Sequence, residues 1–231
     1  MKRKDWDKLA ATFETDVCDI SREEMGAQVP RYLALAKLPK RGAVVADLGC
    51  GIGTFIRDHG DRFAEIFGVE FAPKIIARAK QRCAGMKNVT WLTLDLPQAA
   101  KKIGRRADLT VCMNVITQAN AARRRAMWES VAKVTNKGGY ALVVVASLES
   151  EKMIAKLLGE ELPSANGLVD HDGALQKHYA REELVSEFER AGFAVIKIGK
   201  AHYPWRKEGL RETARRRANR PWDWIALAKR E

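Results

Sequence analysis

The sequence predicts an α/β protein built on one mostly parallel sheet with helices packed against it. Three observations point there. From residue 43 onward, short β-rich apolar runs alternate with longer helical stretches, the order that a parallel sheet with crossover helices requires. The run Val44-Val45-Ala46-Asp47-Leu48 enters Gly49-Cys50-Gly51-Ile52-Gly53 and then a helical segment, so a strand turns sharply into a helix start. The chain has 231 residues, 46% hydrophobic and 30% charged, which suffices for one large core and excludes a disordered or fibrous chain.

In chain order, the first 40 residues read as one or two amphipathic helices, with Pro30 and Pro39 as boundaries. Strands are predicted at residues 43–47, 66–70, 89–95, 108–114, 140–146, 195–199 and 224–228. Helices are predicted near residues 54–60, 73–84, 121–136 and 180–191. The last of them carries Leu184, Phe188 and Ala191 on one face and stops at Gly192. Most connections are short, but residues 147–179 and 200–223 far exceed the usual ~4–6 residues, and both follow strands that should end on the ligand side of the sheet. The whole chain, 1–231, therefore reads as a single domain, with residues 1–40 as an N-terminal helical lid and the two long connections as substrate-side insertions.

Lys and Arg number 41 against 29 Asp and Glu, a net charge of +12. That balance permits an anionic partner by long-range attraction, and it equally fits the solvated surface of an ordinary enzyme. No apolar run approaches the ~18–20 residues that cross a bilayer, so no membrane partner is expected. The start, Met1-Lys2-Arg3-Lys4-Asp5-Trp6-Asp7, lacks the apolar stretch of a secretory signal, and a cytoplasmic protein is expected. Cys18, Cys50, Cys83 and Cys112 show neither C-x-x-C spacing nor an adjacent histidine pair, so reduced thiols are expected and no metal. Cys50 and Cys112 read as small core fillers. Nothing in the sequence speaks to an oligomeric state.

The glycine loop is the strongest local signal. Glycines there let the backbone turn tightly and approach a ligand, and the following helix start offers unpaired N–H groups. The same glycines would be needed at a strand-to-helix turn without any ligand. Their spacing is G-x-G-x-G rather than the G-x-G-x-x-G of dinucleotide sites, and Asp47 stands two residues before the first glycine. A carboxylate there can hold a ligand ammonium, directly or through water, and would repel a pyrophosphate. Glu70 ends the second strand, where an acid can accept from both hydroxyls of a ribose, and Phe71 can pack on a purine. Asp95 can accept from an exocyclic amine while Leu96 covers the other ring face. Asn114 closes the fourth strand next to the glycine loop.

Asp47-Leu48-Gly49-Cys50-Gly51-Ile52-Gly53, Phe67-Gly68-Val69-Glu70-Phe71, Asp95-Leu96, Asp108-Leu109-Thr110-Val111-Cys112-Met113-Asn114 and Lys137-Gly138-Gly139-Tyr140 follow one another in an order that resembles the class I S-adenosylmethionine-dependent methyltransferases. The resemblance spans roughly residues 40–230 and extends to Tyr179-Ala180-Arg181-Glu182-Glu183-Leu184 with Ala191-Gly192-Phe193. It implies a seven-stranded Rossmann-like sheet whose last strand runs antiparallel, with helices on both faces, and S-adenosyl-L-methionine as cofactor. By the same resemblance, Asp47, Gly49, Cys50, Gly51, Gly53, Glu70, Phe71, Asp95, Leu96 and Asn114 would bind that cofactor. The family places an N-terminal helix over the cofactor, which makes Trp6 and Phe13 candidates for contact, although core or lid packing explains them too.

The expected acceptor is a small molecule methylated on O or N. Methyl transfer needs alignment and dryness more than a dedicated base, but a hydroxyl or protonated amine acceptor calls for a group of near-neutral pKa. Of His59, His171, His178 and His202, the last three fall in the long insertions. Ala201-His202-Tyr203-Pro204-Trp205-Arg206-Lys207 combines a titratable group, aromatics and cations, which makes His202 and Tyr203 the catalytic candidates. Methylation of RNA, DNA or protein is the alternative, favoured by the charge and by the runs Arg123-Arg124-Arg125 and Arg215-Arg216-Arg217, which otherwise read as solvated faces. Against it, Asn114-Val115-Ile116-Thr117 lacks the (Asn/Asp)-Pro-Pro-(aromatic) and Pro-Cys patterns of base methyltransferases. A nicotinamide-dependent oxidoreductase is disfavoured by the loop spacing and Asp47, and a catalytically silent binding protein stays open.

Overall fold

The computed structural model of the chain describes residues 3–171 and 173–231, with the backbone alone at residues 214 and 215. Four short helices come first: α1 (Arg3–Leu9), α2 (Phe13–Asp16), α3 (Ile20–Glu23) and α4 (Gln28–Leu35). The sheet region then runs β1 (Val44–Leu48), α5 (Thr54–His59), β2 (Glu65–Glu70), α6 (Pro73–Arg82), β3 (Val89–Thr93), α7 (Ala99–Ile103), β4 (Ala107–Met113), α8 (Ala121–Val134) and β5 (Thr135–Ala146). After it come α9 (Leu148–Leu158), β6 (Leu168–His171), β7 (Ala174–Lys177), α10 (Arg181–Arg190), β8 (Phe193–His202), α11 (Ala214–Ala218) and β9 (Trp222–Arg230).

Seven strands form one sheet in the order β3-β2-β1-β4-β5-β9-β8. β1 to β5 pair in parallel, and β9 runs antiparallel to both β5 and β8. Alternation along β5 explains why helices cover both faces. Ala141, Val143 and Val145 pack with Trp128 of α8 and Phe188 of α10, while Tyr140, Leu142 and Val144 pack with Tyr32 of α4 and Phe55 and Ile56 of α5. Trp128 meets Phe188 edge to face at 5.0 Å between ring centroids, which adds orientation to area burial. The crossover helices start where the sequence supplies caps: Asn120 accepts from the Arg123 N–H, and Ser147 from the Ser150 N–H.

β5, β8 and β9 run beyond the predicted 140–146, 195–199 and 224–228, and two further stretches differ in organisation. Residues 3–35 hold four short helices where one or two were expected, because Pro30 lies in the first turn of α4, where its missing N–H costs nothing, instead of ending a helix. Residues 147–179, expected as a bare connection, contain α9 and the β6–β7 hairpin, in which Leu168 faces Lys177 and His171 faces Ala174. Among the described residues no helix is long and apolar enough to cross a membrane.

Candidate active site

β1 lies between β2 and β4, so its crossovers leave in opposite directions and open a crevice at the C-terminal strand edges. A cleft of about 1070 Å3, counting its open mouth, occupies this switch point. Its wall takes Asp47 from β1, Glu70 from β2, Asp95 after β3 and Asn114 after β4, and Trp6, Phe13 and Val17 of the N-terminal segment cover it. Trp6 and Phe13 contact each other at 6.3 Å.

The glycine loop is held by its neighbour strand: the N–H groups of Gly49 and Cys50 both donate to the Val69 carbonyl, at 2.8 and 2.9 Å. Gly49 has φ +85°, and a Cβ there would stand 2.2 Å from Cγ2 of Val115. Gly51 has φ +51°, and a Cβ there would meet Cζ of Phe13 at 3.1 Å. The loop is therefore glycine both for its left-handed turns and for the closeness of the β4 exit and the lid. Gly53, also left-handed at φ +76°, precedes α5.

Acidic groups dominate the floor. Asp47 is buried, and its Oδ2 has no hydrogen-bond partner. Burial, then the nearby Asp19 and Glu70 carboxylates, push its pKa up to about 8. Glu70 is raised by burial, opposed by the N–H groups of Ala72, Phe71 and Gly51; its Oε1 accepts from Ala72 N–H at 2.9 Å. Asp19 is raised by burial and opposed by the Thr54 hydroxyl, which donates to it at 2.5 Å. A buried carboxylate with an open oxygen beside two more acids is a receptor for a cation. Asp95, at the other end, accepts from the Arg123 guanidinium at 2.7 Å.

On the far wall Asn114 adopts φ +55° and donates from Nδ2 to Asp223 Oδ2 at 2.7 Å. Asp223, on β9, is fully enclosed, and burial pushes its pKa up to about 7 against the Asn114 hydrogen bond. The cleft lining includes neither His202 nor Tyr203. The Tyr203 ring is buried, with its hydroxyl donating to Glu208 at 2.7 Å, and His202 Nδ1 lies 3.2 Å from the Arg220 carbonyl. Burial lifts the Tyr203 phenol well above its ordinary range.

A family profile described as "Methyltransferase domain" matches residues 45–139, the stretch that carries the glycine loop and all four strand-end residues. Residues 45–139 thus match a methyltransferase domain. The magnesium protoporphyrin IX methyltransferase of Synechocystis, solved with S-adenosylhomocysteine bound, is similar in fold: TM-score 0.66, 18% identity, 100% of each chain covered. So is the 1,6-didemethyltoxoflavin-N1-methyltransferase of Burkholderia thailandensis, at TM-score 0.68 and 15% identity over 99% of this chain and 86% of that one. A 23S rRNA (uracil(1939)-C(5))-methyltransferase of Shewanella amazonensis is 39% identical over 59 residues, 25% of this chain. That alignment spans only 13% of the Shewanella enzyme's length.

Asp47, Gly49, Cys50, Gly51, Glu70, Phe71, Asp95, Leu96 and Asn114 all line the cleft. Cys50 is buried, and burial raises its thiol well above the ordinary value, as befits a packing residue. Cys18, Asp19, Ser21, Thr117 and Gln118 also line the cleft, and the sequence reading had no signal for them. The arginine runs differ from a solvated face. Arg123 holds Asp95, Arg124 donates to the carbonyls of Gln118 and Ala119, and the Arg216 guanidinium lies 5.7 Å from the centre of the Trp205 ring.

Proposed function

We propose that this methyltransferase transfers a methyl group from S-adenosylmethionine to an oxygen or nitrogen atom of a small-molecule acceptor. The observation that carries the cofactor half is the unpartnered, buried oxygen of Asp47, a carboxyl whose ionised form an α-ammonium group would stabilise. In this reading Asp47 and the loop of Gly49, Cys50, Gly51 and Gly53 hold the amino-acid end of the cofactor, and Glu70 accepts from the ribose hydroxyls. Phe71 and Leu96 sandwich the adenine, Asp95 accepts from its amine with Arg123 fixing the carboxylate, and Asn114 sits beside the methyl-bearing end. The cofactor supplies an electrophilic methyl on a sulfonium, so the chain's own task is alignment and exclusion of water.

Residues 1–40 act as the lid, and the segments 147–179 and 200–223 back the acceptor wall formed by residues 113–118. His202 and Tyr203, outside the cleft lining, have no direct part in the transfer; the His202 carbonyl accepts from Met25 N–H, tying β8 to the lid. The cleft at the switch point, and the pairing of Arg123 and Arg216 with groups of the chain itself, support a small acceptor over a polymer. The short match to an rRNA methyltransferase favours RNA as the second reading.

Two measurements test this. Glu70→Ala is expected to weaken S-adenosylmethionine binding by roughly 2–3 kcal/mol in calorimetry while the chain stays folded. An unchanged dissociation constant, or tight binding of NADH in place of S-adenosylmethionine, would remove the cofactor assignment. For the acceptor, radiolabelled methyl transfer to pooled small hydroxyl and amine compounds should depend only mildly on salt. Incorporation into mixed RNA or DNA that falls steeply with salt would promote the polymer reading.

A further inference from the structure

We propose that Glu151, His171 and His178 form a binding site for one divalent transition metal of the zinc class. None of the three lines the cofactor cleft, and the proposal does not depend on how that cleft is used.

The β6–β7 hairpin builds the arrangement. His171 ends β6, His178 follows β7, and the antiparallel turn brings the two rings face to face, with centroids 5.2 Å apart and planes 20° from parallel. Their Nε2 atoms are 3.0 Å apart. Glu151 reaches them from α9, and one donor atom from each of the three residues lies within 4.8 Å of the others. Two imidazoles and a carboxylate are a donor set that suits zinc and its neighbours, and they leave a coordination position for water.

The ligand-free arrangement leaves these groups poorly satisfied. Two neutral imidazoles sharing one hydrogen between Nε2 atoms use half of their capacity. His178 is 7% exposed, its Nδ1 has no hydrogen-bond partner, and the nearest Glu151 oxygen is 3.8 Å away, too far for a hydrogen bond. Lys177, the adjacent cation, is already engaged, donating to Glu183 and to the Asn166 carbonyl, both at 2.7 Å. A divalent ion would compensate the carboxylate and take up the idle imidazole nitrogens. Tetrahedral ligands at ~2.0–2.2 Å from zinc stand roughly 3.3–3.6 Å apart, and the donor atoms here lie within 4.8 Å of one another, so closing on the ion takes side-chain shifts on the order of 1 Å.

The metal would fasten the hairpin to α9. That matters for the cleft because Lys177 N–H donates to the Thr117 carbonyl at 2.8 Å and Gln176 bridges to Gln118, and both Thr117 and Gln118 line the cleft. The site would thus set the rigidity of the acceptor wall.

The test is titration of the EDTA-stripped full chain with zinc chloride, and separately with cobalt chloride. One ion per chain is expected, at micromolar affinity or better, with cobalt giving visible bands of nitrogen and oxygen ligands and none of thiolate. His171→Ala and Glu151→Gln should each weaken zinc binding by at least ~10–100-fold, while His59→Gln leaves it unchanged. Amide exchange across residues 168–177 should slow with zinc in the wild type only. His171 lies on the hairpin surface, so its variant tests the site in a folded chain. Equal zinc affinity in the wild type and His171→Ala, cobalt bands from thiolate, or wild-type binding weaker than millimolar would each overturn the proposal.

Discussion

Asp47→Asn is expected to weaken S-adenosylmethionine binding by about 100-fold or more, roughly 2.7 kcal/mol, and at the same time to stabilise the ligand-free chain at alkaline pH. The two effects share one cause. The Asp47 carboxyl is buried beside Asp19 and Glu70, which raises its pKa from an ordinary 3.8 to about 8. Between those values the unfolded chain has released the proton and the folded chain has kept it, so ligand-free stability falls as pH rises through the window. Asparagine carries no such charge. Thermal unfolding at pH 9 should therefore favour Asp47→Asn, and the difference should shrink toward pH 4. A cationic ligand reverses the balance by favouring the ionised form, so binding near pH 6.5 should release close to one proton and binding near pH 9.5 almost none. These are the Asp47 protons alone; near pH 9.5 a ligand α-amine takes up close to one proton to bind as the ammonium, so calorimetry in buffers of different ionisation heat should read net release at pH 6.5 and net uptake at pH 9.5. An Asp47→Asn chain that binds as tightly as the wild type would remove Asp47 from the site.

Gly49→Ala is expected to cost about 2–5 kcal/mol of folding stability, combining the left-handed backbone penalty with overpacking. In a chain of this size that lowers Tm by roughly 5–15 °C. The added methyl would stand 2.2 Å from Val115 Cγ2, a side chain that lines the cleft just after β4. The second change Val115→Ala removes the opposing methyls and leaves φ +85° untouched, so it should restore part of the stability and not all of it. A Gly49→Ala chain with an unaltered Tm would mean that the loop relaxes freely, against the two N–H bonds that anchor it to Val69.

The strand ends were legible in the sequence because each is a local pattern: an apolar run, then an acid or a glycine. Strand 66–70 differs from β2 by one residue at its start, and 108–114 from β4 by one residue at each end. The β6–β7 hairpin was not legible, since Leu168-Val169-Asp170-His171 and Ala174-Leu175-Gln176-Lys177 alternate weakly and leave Leu175 exposed. The lid's share of the site was equally hidden. Asp19 reaches Thr54 from 35 residues away, and Asn114 reaches Asp223 across 109, and neither link leaves a mark on local periodicity. Arg123 looked like part of a solvated run because its partner Asp95 comes from another crossover.

Lys207 gives the enzyme a clasp. Its ammonium, 3.1 Å from each of the carbonyls of Glu14, Thr15 and Val17 and 3.6 Å from the Glu23 carboxylate, joins the connection between β8 and β9 to the segment that roofs the cleft. Swinging the roof aside means pulling this cation off three oxygens at once. The N-terminal cover of the cleft and the connection that leads into β9 are thereby latched to one another, so neither shifts against the other without breaking these contacts.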